Sequence, residues 1–347
     1  MKKINKNKII YSVIFIMSIL IINCCTAKQK VEAKETNQLY SYVDSKSGLC
    51  GFVDKKGKVI IKPIYDSVGD FSDGLAAVQN SDRKWGFIDK TGKQIVPFKY
   101  FLCGDFSEGL AKVANEEEKF GYINTEGKLV ISQKYIDASD FSEGLACVHT
   151  TNGKKGYIDK KGKMVLKVKG DLYPFSDGLA CVVNDYKVKY IDKKGKVKIT
   201  KKIKDYDSYY SSFSDGLAAF YDHDKNQFGY INKKGKTVFT LSSSMTYGDD
   251  FYEGMCIVYG KDGKTGYVNK TGKLVIPTKY TEGYIFQEGL TYVKVKGKYG
   301  YIDKKGEMVI KPVYDKASSF CNGLAYVEKK GKNYYIDKNG KIVIKLP

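Results

Sequence analysis

The stretch Gly-Tyr-Ile-Asp-Lys-Lys-Gly-Lys, intact at Gly156–Lys163, returns nine times along the chain. Each copy carries an aromatic, a β-branched aliphatic, an Asp or Asn, and a Gly three places on. The glycines are Gly57, Gly92, Gly127, Gly162, Gly195, Gly235, Gly272, Gly306 and Gly340, spaced 35, 35, 35, 33, 40, 37, 34 and 34 residues apart. Self-similarity at such a period means stacked supersecondary units, none of which buries its own apolar face. The local chemistry is that of a hairpin. An aromatic followed by a β-branched residue favours a strand. Asp or Asn at the start of a type I turn, with Gly in the left-handed region at its end, is a common three-residue hairpin loop. The two lysines between them read as solvated turn residues.

A second signature alternates with the first: Phe, two residues on an acid, then Gly-Leu-Ala. It occurs at Phe71, Phe106, Phe141, Phe175 and Phe213, and in weaker form at Phe251, Phe286 and Phe320. The residue two places after the Ala position is aliphatic or aromatic in each copy, which suits a strand with one buried face. Each unit is therefore expected to hold three strands. A leading strand is the Leu-Ala-x-Val segment, a central strand carries the aromatic, and a trailing strand follows the lysine turn. The trailing strand is expected to stop at Pro63, Pro97, Pro277 or Pro312, where an N–H is missing. Tyr65, Tyr100, Tyr135, Tyr280 and Tyr314, eight residues after the turn glycine, are expected to cover the next connection. The chain starts and stops in phase, Leu39–Val43 matching a leading strand and Lys341–Ile344 a trailing one. Nine whole three-stranded units over 39–347 make an all-β repeat array. Drifting unit lengths favour an open or superhelical array, with a β-propeller-like closed ring as the alternative.

Residues 1–23 read as a leader: a basic start with Lys2, Lys3, Lys6 and Lys8, then a 14-residue, mostly apolar run from Ile9 to Ile22. That run is short for a membrane span and suits a secretory signal. Ile21-Ile22-Asn23-Cys24-Cys25 resembles a bacterial lipobox, with Asn23 where Gly, Ala or Ser is usual. The resemblance implies lipidation at Cys24, or alternatively Cys25, and a chain exported and lipid-anchored in the bacterial cell envelope. An ordinary signal peptide with secretion, or an uncleaved anchor, are the alternatives. Residues 24–38 are polar, lack aromatics and read as a flexible tether.

Lysine and arginine exceed the acids by 20, and by 16 once the four lysines of the leader are set aside. Such an excess attracts anionic polymers or membrane surfaces. The competing reading is that lysine fills exposed turns and blunts strand edges. Six cysteines lie beyond the leader, Cys50, Cys103, Cys147, Cys181, Cys256 and Cys321, without a Cys-x-x-Cys or a Cys/His cluster, so no zinc site is expected. They read as small, largely reduced core residues, with one or two disulfides open. His149 and His223 are the only histidines and sit in different repeats. No catalytic arrangement can be built on them, and no phosphate loop is present. The acid before each Gly offers one carboxylate where calcium needs six or more oxygens, so it reads as turn chemistry. No cofactor and no metal are expected. The aromatics remain: Trp85, Phe87, Tyr122, Tyr157, Tyr190, Tyr230, Tyr267, Tyr301 and Tyr335 form a row that is either a binding surface or a ladder filling the core.

At Lys84-Trp85-Gly86-Phe87-Ile88-Asp89-Lys90-Thr91-Gly92-Lys93 the sequence resembles the WG-containing, or KWG, repeat family of bacterial lipoproteins. The full pattern extends over about nine-tenths of the chain. Trp stands only at Trp85, and the Gly after it is replaced by Lys189 and Tyr334 in two copies. The resemblance implies an extracytoplasmic repeat domain without catalytic residues. The expectation is a lipid-tethered envelope protein, attached to the membrane through its N-terminal lipid, that binds an anionic envelope polymer or another surface protein. Nucleic acid is not expected among its partners. A structural spacer without a ligand is the first alternative, and an enzyme acting on envelope polymers a distant one.

Overall fold

A computed structural model describes residues 38–346 apart from 204–209 and 223. The described residues contain strands and turns and no helix. In the first unit, β1 (Leu39–Val43), β2 (Cys50–Asp54) and β3 (Val59–Tyr65) form an antiparallel meander. The second unit contributes β4 (Ser67–Val68), β5 (Leu75–Gln79), β6 (Trp85–Asp89) and β7 (Gln94–Tyr100). The pattern then repeats to Lys345, giving the expected all-β array of nine units.

The lysine turns behave as their chemistry dictates. All nine turn glycines have φ between 74° and 85°. The Asp or Asn side chain opening each turn accepts two backbone amides, as Asp54 Oδ1 does from Lys56 and Lys58 at 2.8 and 2.9 Å. A register shift beside the turn is the bulge expected of this loop. The Phe-acid-Gly turns are tighter than the sequence suggests. Both the acid and the Gly take positive φ, as with Asp73 at 50° and Gly74 at 87°, which makes them hairpin turns of type I′.

Two expectations about strands need correction. Most sheets hold four strands rather than three, because the trailing strand continues into the next unit and pairs with its leading strand. Asp66 alone separates β3 from β4, and Ser67 and Val68 pair with Gln79 and Val78. In the third unit there is no break: Leu129–Ala138 pairs with Phe120–Asn124 and then with Ala146–Thr150, fusing two units into one seven-stranded sheet. Proline also does not stop the trailing strand. Pro63, Pro97, Pro277 and Pro312 lie inside it, in a bulge where the ladder skips a pair. The bulge presses the trailing backbone onto the glycine of the central strand. A Cβ on Gly51, Gly86, Gly266 or Gly300 would come within 2.5–2.6 Å of a carbonyl oxygen. Beside Lys189 and Tyr334, which replace that glycine, the trailing strand pairs without the shift, as it also does beside Gly156 and Gly229.

The core lies between units. One cluster combines Phe52, Ile61 and Tyr65 of the first unit with Ala76, Val78 and Ile88 of the second. The five tyrosines after the turns, Tyr65 among them, are buried. No sheet closes on itself. The two ends of the array nevertheless meet, which is the mark of the ring-like alternative. Tyr40, Tyr42 and Val53 of the first unit share a cluster with Leu324 and Ile344 of the last. Each turn glycine from Gly92 to Gly340 faces the trailing strand of the preceding unit, and Gly57 faces Ile344 in the same way.

Candidate functional site

The aromatic row is part of the inter-unit packing. Phe87, Tyr122, Tyr157, Tyr190, Tyr230, Tyr267 and Tyr301 are at most 1 % exposed, while Trp85 and Tyr335 are half-buried. Each central-strand aromatic packs at a steep angle on the Phe of the next unit's Phe-acid-Gly turn, with ring centroids 4.8–5.1 Å apart from Phe52–Phe71 to Tyr301–Phe320. The buried hydroxyls are satisfied by backbone carbonyls: Tyr122 donates to Ser139 at 2.6 Å and Tyr301 to Ser318 at 2.9 Å. A row held this way has no face to offer a ligand, so its reading as a binding surface is corrected to that of a core ladder. The first unit lacks the Phe turn, and there Tyr40 stands where six of the other eight units have Ala. Its ring meets Tyr335 at 5.1 Å, and Tyr335 donates to Ser41 O at 2.8 Å.

The acid of each Phe-acid-Gly turn does more than form a turn. Its carboxylate accepts the Gly N–H of the next unit: Asp73 from Gly109, Glu143 from Gly178, Asp177 from Gly216, Asp215 from Gly254, at 2.6–2.9 Å. Glu108, Glu253 and Glu288 do the same for Gly144, Gly289 and Gly323. The copy at Asn322 is the one that carries no acid. The sequence signal was present, an acid at one fixed place in seven of eight copies. A turn requires only Asp, Asn or Gly there, and Glu gains little from the left-handed region.

The first lysine of several turns is also engaged rather than simply solvated. Lys160, Lys193, Lys304 and Lys338 lie 3.1–3.2 Å from Glu108, Glu143, Glu253 and Glu288. These pairs are partly exposed, so each contributes about 0–1 kcal/mol. The exposed lysines of the trailing strands, Lys62, Lys99, Lys134, Lys279 and Lys311, have no ion-pair partner among the described residues. Three of them, Lys99, Lys134 and Lys279, lie over the ring of the adjacent Tyr at 5.2–5.5 Å. Exposed aliphatics such as Ile60, Ile64, Val130, Val309 and Val313 stand beside them.

The six cysteines carry thiols, none bridged to another. Burial pushes the Cys181 thiol up to about 12, which disfavours the reactive thiolate. No group of three metal-capable side chains occurs among the described residues. His149 lies in a leading strand, while His223 falls outside the described residues. So do Cys24, Cys25, the leader and all of the tether but Gln38.

Carboxylates ahead of the Phe turns form a second feature that sequence reasoning missed. Asp70, Asp105 and Asp140 occupy equivalent positions in three successive units. Burial, aided by the charges of Asp70 and Asp140, pushes Asp105 up to about 6. The fold thus holds this proton more tightly than the unfolded chain, where an Asp titrates near 4. Stability from this group is fully present below about pH 4, the unfolded value, and is lost as pH rises through about 6. Asp105→Asn is expected to raise Tm at pH 7.5 by about 2 °C or more and to gain less at pH 5; an equal gain at both pH values would contradict a buried, proton-binding carboxyl.

The sequence pattern of the WG containing repeat matches residues 51–83, 85–117, 120–154, 156–187, 266–299 and 299–332, together more than half of the chain. No curated protein matches it. Among solved structures, BamB from Moraxella catarrhalis is 14% identical over 80% of this chain and 92% of its own, with a TM-score of 0.47. Kluyveromyces lactis Hsv2 is 14% identical over 67% and 87%, at 0.40. The dihydro-heme d1 dehydrogenase NirN, in complex with DHE, is 13% identical over 81% and 72%, at 0.48.

Proposed function

The chain belongs to the WG containing repeat family, and from that premise we propose that its repeats form a non-catalytic binding surface for an anionic polymer of the cell envelope. The observation that carries the proposal is the set of exposed lysines on trailing strands, Lys62, Lys99, Lys134, Lys279 and Lys311, none with an ion-pair partner among the described residues. A trailing strand ends most of the sheets, and these lysines stand exposed on it, five residues after the turn glycine at Lys62 and Lys311 and seven after it at Lys99, Lys134 and Lys279. A polyanion with regularly spaced charges can engage many such groups at once, each contact weak and the sum strong. The neighbouring aliphatics add apolar contact that salt does not screen. The buried aromatic ladder makes this surface rigid, so little is lost in ordering it.

Attachment to the envelope is the second half of the proposal. It rests on the basic start, the short apolar run and the cysteines at Cys24 and Cys25. A lipid on Cys24 would hold the array close to the polymer, raising its effective concentration.

Two experiments test these halves. The full chain should be retained on immobilised dextran sulfate at about 50 mM salt and released well before 1 M, where the Debye length is about 3 Å. Replacing Lys99, Lys134 and Lys279 by Gln should lower the eluting salt. Passage through the column at low salt would favour a spacer that carries no ligand. In cells grown with labelled palmitate, the wild type should take up label and the Cys24→Ala, Cys25→Ala double variant should not. An unlabelled wild type found in the medium would replace the anchor by plain secretion.

A further inference from the structure

The central strand of the ninth unit departs from the common pattern. Tyr334 stands where seven of the nine central strands have Gly, and the trailing strand beside it runs without the usual bulge. A cleft of about 450 Å³ opens where the eighth and ninth units meet. Its apolar lining is Tyr314, Tyr334 and the exposed Ile342, and its basic lining is Lys329, Lys330 and Lys332 from the hairpin between leading and central strands. Lys330 and Gly331 form the tip of that hairpin with φ of 53° and 72°, and Lys329 pairs directly with Lys332 across it. All three ammonium groups therefore come from one four-residue segment. None has a carboxylate at ion-pair distance among the described residues. Asp315 accepts the backbone N–H of Lys330 at 2.7 Å, and its other oxygen is taken by Lys298.

Like charges held together with no counter-charge repel one another, and a bound anion relieves that repulsion. The apolar lining asks for something beyond a bare anion. A tyrosine ring beside an aliphatic side chain suits the C–H face of a saturated ring, while ammonium groups suit a carboxylate on that ring. The cleft is also open to solvent, so a residue within a longer chain can enter without a free end. We propose that this cleft is a subsite for an acidic saccharide, seating one or two uronate residues with their rings on Tyr334 and Ile342 and their carboxylates on Lys329 and Lys332. The inference rests on the polyanion-binding reading above and gives it a sugar chemistry and a place. The remaining lysines of the array then act as a non-specific attractive field, and this cleft as the position that distinguishes a uronate from other anions.

Titration calorimetry of the full chain with trigalacturonate tests the assignment, with neutral maltotriose as control. Wild type should bind trigalacturonate saturably at one site and should not bind maltotriose. Lys329→Gln with Lys332→Gln should weaken binding at least tenfold without lowering Tm. Tyr334→Gly, which restores the residue found in seven of the nine units, should weaken it by a similar factor. Absence of saturable binding by wild type, or unchanged binding by the Lys329/Lys332 variant, overturns the subsite. Retention on dextran sulfate with no trigalacturonate binding would remove the cleft alone; loss of both would remove the polyanion reading with it.

Discussion

The contact between one unit's central aromatic and the Phe of the next unit's turn is what the rest of the structure depends on. A single meander of about 35 residues exposes both faces of its sheet and is marginal in water. Here each sheet buries its central aromatic against a ring that arrives from the neighbour, at the steep angles favoured by ring quadrupoles. Such a pair contributes about 0.5–1.5 kcal/mol beyond the area it buries. The hydroxyl adds a buried hydrogen bond to the neighbour's backbone, as from Tyr157 to Tyr173 and Tyr190 to Ser211. Removing either partner would leave a buried polar group unpaired, which costs more than the bond itself contributes.

Around this contact the other inter-unit links fall into place. The turn glycine must approach the preceding trailing strand closely, so Gly162 meets Ile131 and Gly340 meets Ile310. The carboxylate-to-glycine bonds join successive Phe turns, and serines beside them add a further bond, as from Ser107 to Phe141 O and Ser142 to Phe175 O. These links run from the second unit to the ninth. The first unit has no Phe turn, and Asn322 stands in the ninth where an acid would otherwise reach onward. The junction between ninth and first units therefore rests on side-chain packing, with Tyr40 against Tyr335, and on the hydrogen bond from Tyr335 to Ser41 O.

Much of this was legible from residues alone. The lysine turn was readable because Asp, Gly and their spacing have few other uses in a hairpin, and the repeat count followed from it. The fourth strand was not readable. Ser67–Val68 and Lys316–Ala317 are two-residue extensions of strands already counted, and they carry no alternation of their own. Proline misled for a related reason: the missing N–H at Pro63 falls in a bulge that requires no ladder bond, so the strand passes through it. The aromatic row was readable as a row, but period-2 alternation cannot say whether a face meets solvent or another unit. Tyr40 was in plain sight as the one ring at its position, in the one unit without a Phe turn. Its meaning depends on which unit lies opposite, which no local pattern encodes.

The central claim is that one aromatic contact passes through every unit and also joins the last to the first. Tyr40 and Tyr335 lie near opposite ends of the chain, so they couple energetically only if those ends meet. A double-mutant cycle of Tyr40→Ala and Tyr335→Ala, read by equilibrium urea unfolding of the full chain, measures that coupling. The account predicts a coupling of about 0.5–1.5 kcal/mol, the range for packed aromatic pairs. Additive single-variant effects, with no coupling between the two tyrosines, would contradict it.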